Sequence, residues 1–212
     1  DGFLCRMELI ELRRQDHPLP SRIVDASERF VRHLLGDGHF DGRVDHLLSW
    51  RSEQLMPGEL LPDTVPFPEI PPLGSRHESA IVCMRSHQGS GAVCIAHHRL
   101  HMSGHPRVLI LDAHDLPHDT SECRDAVYAS LREAALACTP MIVDARRITA
   151  DRVAEVITWV DQGFIPVIVI TGPSMSVDLP PDRIVDVPVA APAVRAAWLD
   201  YLNDQNDSPR TV

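Results

Sequence analysis

Short, uninterrupted apolar runs recur in the chain from residue 79 onward, and they alternate with longer segments of helical periodicity. A short continuous apolar run is typical of a strand that is buried on both faces. These runs predict strands at 80–84, 107–111, 141–143, 165–170 and 183–187. The remaining segments predict helices up to residue 103 and over 121–137, 149–162 and 193–202. Strands that alternate with helices in this way indicate an α/β fold: a parallel five-stranded sheet with helices on both faces.

Residues 1–56 have a different pattern, in which apolar residues recur at helical spacing. One such segment runs from 8 to 14, and Asp25 can cap a second helix that ends at Gly36. A further short helix is predicted over 43–50. We interpret this part of the chain as a small helical or winged-helix-like unit.

Prolines separate the two patterns, because six of them fall between residues 57 and 78: Pro57, Pro62, Pro66, Pro68, Pro71 and Pro72. Such a density is incompatible with regular helix or sheet and predicts an extended linker. We therefore divide the chain into the unit 1–56, the proline-rich linker 57–78, the α/β core 79–202 and a polar tail, 203–212, that we expect to be disordered.

The segment after the first predicted strand contains a glycine-rich turn, Gly89-Ser90-Gly91. A phosphate-binding P-loop needs Gly-x-x-x-x-Gly-Lys-[Ser/Thr] between a strand and a helix, so that backbone N–H groups surround the phosphates. The lysine of that motif reaches the terminal phosphates and the hydroxyl holds Mg²⁺. Here Ala92 stands at the lysine position and Val93 at the hydroxyl position. The turn therefore predicts a phosphate cradle that lacks its cation and its metal anchor.

Two further strand ends match a nucleotide site. The third predicted strand ends in Asp144, where P-loop folds place the acid that supports the metal, and Ala145 follows where AAA-type ATPases carry a second acid. The fourth strand ends in Thr171, where a polar residue senses the terminal phosphate. We predict that Asp144 and Thr171 form a nucleotide-binding remnant together with the glycine-rich turn.

With these features the sequence resembles the AAA+ ATPases, in particular the bacterial ones associated with contractile injection systems. In these proteins a winged-helix-like segment precedes a first AAA module that is often degenerate. The resemblance is carried by the turn, by Asp144, and by the stretches 29–36, 187–192 and 195–198. It implies a P-loop NTPase-like core, and the missing lysine, hydroxyl and second acid imply that this core does not hydrolyse ATP.

The net charge of the chain indicates which classes of partner to expect. The chain has 212 residues and a net charge of −10, and its 20 basic residues are all arginines. Because binding to a phosphate backbone depends on a basic surface, we expect no nucleic-acid partner. We expect protein partners, namely other AAA modules, and a homo-oligomer through the parent protein.

The five cysteines share no CxxC spacing, and there is no apolar run of the length that a membrane span needs. We therefore expect reduced thiols, no membrane segment and a cytoplasmic location. Since the first residue is Asp1, we expect a segment of a longer protein.

Polar clusters offer an alternative function. Asp112, His114, Asp115 and His118 follow the second predicted strand, at the sheet edge where α/β enzymes place their chemistry. They would suit a metal-dependent hydrolase, although a polar loop is the simpler interpretation and the one we favour.

The helix after the glycine-rich turn carries His97 and His101 at a spacing that metals use, but here too we favour an ordinary helix face. Arg146 and Arg147 follow Asp144 and could reach a neighbouring subunit, as arginines do in ring ATPases. For them we favour an ordinary surface pair.

The sequence therefore predicts a catalytically inactive AAA-like module of a larger AAA+ ATPase, with a structural, assembly or partner-docking role. We expect no catalytic residues, no resident metal and no cofactor beyond a vestigial ATP/Mg²⁺ site.

Overall fold

The structure is a computed structural model, and it describes residues 5, 8–13, 23–51, 67–70, 81–161 and 165–187. The described residues contain eight strands and four α-helices. In chain order they are β1 (Ile10–Arg13), β2 (Ile23–Ala26), α1 (Glu28–Leu34), β3 (Leu48–Arg51), β4 (Ile81–Arg85), α2 (Ala92–Met102), β5 (Val108–Asp112), α3 (Thr120–Leu136), β6 (Met141–Asp144), α4 (Ala150–Val160), β7 (Val167–Thr171) and β8 (Ile184–Asp186). Single 3₁₀ turns precede β3, follow β5 and precede β8.

The predicted alternation of strands and helices is confirmed from β4 to β8, with boundaries within about two residues of those expected. The main sheet is α/β in class but mixed, with six strands in the order β3-β5-β6-β7-β4-β8. The five strands from β4 to β8 are parallel, and β3 pairs antiparallel with β5. The prediction of a purely parallel five-stranded sheet was therefore incomplete.

Apolar side chains on both faces of the sheet explain the continuous runs in the sequence. In β4, Ile81 packs into one buried cluster, while Val82 and Met84 pack into the other. Side chains that alternate between two buried faces leave no polar positions along the strand. The helices α3 and α4 cover the first face, and α2 covers the second.

The order of the strands creates a crevice at their carboxyl ends. β4 is flanked by β7 and β8 and is separated from β5 by β6 and β7, whereas in the Rossmann and flavodoxin orders the first strand pairs with the second. The chain leaves β4 towards α2 on one face. It leaves β7 towards Met175 and Val177, which pack on the other face. Neighbouring strands whose connections diverge in this way form the switch point at which α/β sheets bind ligands.

The N-terminal region corrects the prediction of a helical unit. Residues 8–14 were predicted to be helical, yet β1 and β2 form a two-stranded antiparallel sheet with Ile10 opposite Ala26. The predicted helix over 43–50 is a 3₁₀ turn followed by β3. The three apolar residues of this segment, Val44, Leu47 and Leu48, fit the period of a helix as well as that of a strand. The edge of β5 favours the strand, because it offers β3 backbone hydrogen bonds, whereas an isolated helix of this length is only marginally stable.

Between residues 23 and 51, all of which the structure describes, α1 is the α-helix that was expected. It begins after Ser27 rather than Asp25, because the Ser27 hydroxyl accepts a hydrogen bond from the Phe30 N–H. It ends as predicted near Gly36, whose φ of 88° lies in the left-handed region.

N-terminal side chains contribute to the same core as the sheet. Leu9, Val44 and Leu47 belong to the cluster that contains the β5 residues Leu109 and Leu111. The linker 57–78 is described only at 67–70, and the predicted helix over 193–202 and the tail 203–212 lie outside the described residues. The domain limits therefore stay predictions.

Candidate functional site

The glycine-rich turn lies in the bend that joins β4 to α2, as the sequence predicted. β4 is an interior strand, second from the edge of the sheet rather than central. Gly89 and Gly91 have φ values of 75° and 72°, in the left-handed region that glycine adopts without strain. Gly91 is also the N-cap of α2, so the two glycines turn the chain sharply into the helix.

The first turn of α2 presents unused backbone donors. Gly91 has no side chain to cap the helix, and the first turn contains no acidic residue. The first intrahelical bond runs from the Ile95 N–H to the Gly91 carbonyl. Within the described residues the N–H groups of Ala92, Val93 and Cys94 have no acceptor. Unpaired N–H groups and the positive end of the helix dipole favour a negative charge near a helix N-terminus.

Two hydroxyl groups in the same bend are enclosed without a hydrogen-bond partner. The Oγ atoms of Ser86 and Ser90 are both buried, and Ser86 as a whole is 1% exposed. The Ser86 N–H donates to the Thr171 carbonyl, which fixes the backbone at this point, whereas the Ser86 hydroxyl has no hydrogen-bond partner. Buried hydroxyls are rarely left unsatisfied, and a bound polar group is one explanation for such a pair.

Asp144 ends β6 on the opposite side of the crevice, and Arg146 holds its carboxylate. Arg146 Nε lies 2.9 Å from Asp144 Oδ1, and Arg146 Nη2 lies 2.6 Å from Oδ2. Burial opposes ionisation of the acid, but the hydrogen bonds and charge of Arg146 outweigh it and hold the pKa of Asp144 below its ordinary value. The same bonds raise the pKa of Arg146. The two groups form a charged pair whose net charge is zero.

A cavity of about 310 Å³ brings the bend and the end of β6 together. Its lining residues are Gln88, Gly89, Asp144, Arg146 and Arg147. Of the residues predicted for the site, Gly89 and Asp144 therefore line a common space. Gln88 and the two arginines were not predicted to line it.

Thr171 lies at the end of its strand as predicted, but its side chain does not line the cavity. It ends β7, beside β4, but it is fully buried and is not among the residues that line the cavity. Its Oγ1 lies 3.6 Å from Cys83 Sγ and donates to the Gly172 carbonyl at 3.4 Å. The hydroxyl is therefore used within the fold, while the Thr171 carbonyl anchors the start of the bend.

The residues at this site do not fit a Mg²⁺ ion of the kind that P-loop ATPases use. Mg²⁺ requires oxygen ligands in near-octahedral geometry. Val93 has no oxygen in its side chain, and both carboxylate oxygens of Asp144 accept hydrogen bonds from Arg146. Ala92, at the lysine position, is fully buried in the core beneath α2.

The neighbouring arginine is also paired within the chain. Arg147 Nη2 donates to Asp112 Oδ2, which links the segment after β6 to the end of β5. Neither arginine is left unpaired for a neighbouring subunit. The sequence could have suggested the first pair, because Asp144 and Arg146 are two residues apart, but only the fold brings Arg147 to Asp112.

The polar loop after β5 does not assemble a metal site. Asp112 Oδ1 accepts from the His114 N–H, which forms the 3₁₀ turn, and Oδ2 accepts from Arg147. Among the described residues, which include Asp115 and His118, no group of three or more histidine, cysteine or acidic side chains could hold a metal ion. In the described residues, the four side chains of the predicted cluster are therefore not gathered into one ligand group.

The histidines of α2 do not form such a group either. His97 is 2% exposed and packs beneath the helix, where burial lowers its pKa. Burial also lowers the pKa of His98. Both are therefore core or half-buried imidazoles of the helix that follows the bend.

Comparison of the sequence with models of known protein families and with curated proteins gives no match. None of the described helices is both long enough and apolar enough to cross a membrane.

Proposed function

We propose that this chain carries a degenerate P-loop module of an AAA+ ATPase that does not hydrolyse ATP. One observation carries the proposal. The glycine-rich bend Ser86–Gly91 joins a buried parallel strand to a helix N-terminus at the switch point of the sheet, and it shares a cavity with Asp144 at the end of β6. A phosphate loop and its partner acid occupy this relationship in a nucleotide site.

The missing hydrolytic groups support an inactive module. Ala92 and Ala145 have methyl side chains and are fully buried, so neither side chain offers a polar group to a phosphate or to an attacking water. Val93 has no oxygen that could bind Mg²⁺, and both carboxylate oxygens of Asp144 already accept hydrogen bonds from Arg146. Phosphoryl transfer depends on a cation and a metal to neutralise the developing charge, and on a group that orients the nucleophile.

The role proposed for such a module is assembly of a larger ATPase or docking of a partner, while another module hydrolyses ATP. The resemblance to AAA+ proteins with a degenerate first module motivates this part of the proposal. The partners would be other AAA modules, including further copies of the parent protein.

Phosphate release from ATP by the purified chain tests the proposal. We expect no release above that of the buffer, with or without Mg²⁺. Gly91→Val and Asp144→Ala variants serve as controls, because a contaminating ATPase would be indifferent to both. A steady rate that either substitution abolishes would overturn the proposal.

A further inference from the structure

We propose that the cavity between the β4–α2 bend and the end of β6 binds a polyphosphate without Mg²⁺, and that Asp144 weakens this binding by holding Arg146. The inference rests on the proposed function, because it takes the bend as a phosphate loop. In an active P-loop site, the acid at the position of Asp144 supports the metal and so strengthens phosphate binding. Here we infer the opposite role, in which Asp144 weakens that binding.

The site contains two guanidinium groups, and each is paired with a carboxylate: Arg146 with Asp144 and Arg147 with Asp112. Arg146 and Arg147 line the cavity together with Gln88 and Gly89. A guanidinium has five N–H donors in a fixed fork. Arg146 uses only Nε and Nη2 towards Asp144, so further donors of the same group remain for a ligand. Its side chain is 17% exposed, which gives a ligand access to it.

The backbone supplies the second part of the site. Gly89 of the bend lines the cavity, and the bend leads into α2, an 11-residue helix whose first N–H groups have no acceptor among the described residues. The buried Oγ atoms of Ser86 and Ser90 belong to the same bend and have no partner. A phosphate that reaches the bend would provide acceptors for these donors.

The charge balance explains why Asp144 opposes binding. With the carboxylate present, the Asp144–Arg146 pair is neutral, and the acid itself repels a phosphate that enters the same cavity. Asp144→Asn removes the repulsion, keeps the shape of the side chain and releases Arg146. Since one charge-assisted hydrogen bond changes an affinity by about tenfold or more, we expect the variant to bind a polyphosphate at least about tenfold more tightly.

Calorimetric titration of the whole chain with ATP and with tripolyphosphate tests the inference, each in EDTA and in excess Mg²⁺. We expect binding in EDTA that Mg²⁺ does not strengthen, tighter binding by D144N, and weaker binding by Arg146→Gln. The matched control is Asp37→Asn, which changes the net charge by the same amount and releases Arg32, and neither of these two residues lines the cavity. It should leave the affinity unchanged, and circular dichroism of each variant verifies its folding.

Two results would overturn the inference. One is binding that requires Mg²⁺ and is weakened in D144N, as loss of a metal ligand would produce. The other is an absence of binding by wild type and D144N alike. Neither result bears on phosphate release, so a failure of this inference is distinguishable from a failure of the proposed function.

Discussion

The guanidinium of Arg29, in α1, forms two hydrogen bonds with the carboxylate of Glu133, in α3. Nε lies 2.7 Å from Oε1 and Nη2 lies 2.5 Å from Oε2. Glu133 is 1% exposed and Arg29 is 11% exposed, so both charges are largely withdrawn from water. The pair joins the N-terminal helix to the layer of helices that covers the sheet.

Breaking this pair should destabilise the protein strongly. Arg29→Met leaves a buried carboxylate without its main partner, and we expect a loss of about 3 kcal/mol or more in the free energy of unfolding. Urea denaturation at neutral pH measures it. Arg32→Gln is the matched control, because Arg32 pairs with Asp37 while 52% exposed, and an exposed pair contributes at most about 1 kcal/mol. Equal effects of the two substitutions would contradict the prediction.

A second prediction concerns acid stability. Burial opposes ionisation of Asp41, but hydrogen bonds from Arg43 and the charges of Arg43 and Arg132 lower its pKa from 3.8 to about 2. A carboxyl with a lowered pKa in the folded state contributes stability above its ordinary pKa, and this contribution is lost as the pH falls through the folded value. The contribution corresponds to roughly 2 kcal/mol at neutral pH.

Asp41→Asn removes this contribution at every pH. We therefore expect the difference in unfolding free energy between wild type and D41N to be constant at neutral pH and to shrink as the pH falls from about 4 towards 2. Urea denaturation of both proteins across this pH range measures the difference in unfolding free energy. The effects of the other titrating acids are common to the two proteins and cancel in this difference. A difference that does not change with pH would show that Asp41 is not held ionised by the arginines.

A third prediction tests whether the N-terminal region shares one core with the sheet. Leu47 is 4% exposed and belongs to the same cluster as Leu109 and Leu111 of β5. We expect Leu47→Ala to cost about 3 kcal/mol and to speed hydrogen exchange of the β5 amides. Leu35→Ala is the control, because Leu35 is 82% exposed and its truncation should change stability by at most about 0.5 kcal/mol. Unchanged exchange in β5 would mean that residues 1–51 unfold as a separate unit.

The N-terminal region shows where the sequence pattern fails. The apolar residues near Leu47 and Leu48 fit a helix as well as a strand, because a short run contains too few turns to define a period. What decides between them is the hydrogen-bonding edge of β5, more than 50 residues further along the chain. A partner that distant leaves no trace in the local pattern.

The candidate site divides in the same way. The glycines of the bend and the acid at the end of β6 were predictable, because each follows a buried strand and the carboxyl ends of parallel strands meet at one edge. The state of these groups was not predictable. The fold turns the Thr171 hydroxyl towards Cys83, and it commits Arg147 to Asp112.

The sequence by itself determined the parallel strands β4 to β8 and the helices between them, because continuous apolar runs and helical periodicity are local properties of the chain. It also determined that no lysine side chain is available to bind a phosphate at the Ser86–Gly91 bend. Only the tertiary structure decided the strand order, the antiparallel edge strand β3 and the pairing of Asp144 with Arg146. These depend on contacts between segments or on side-chain orientations, which are fixed only when the whole core packs.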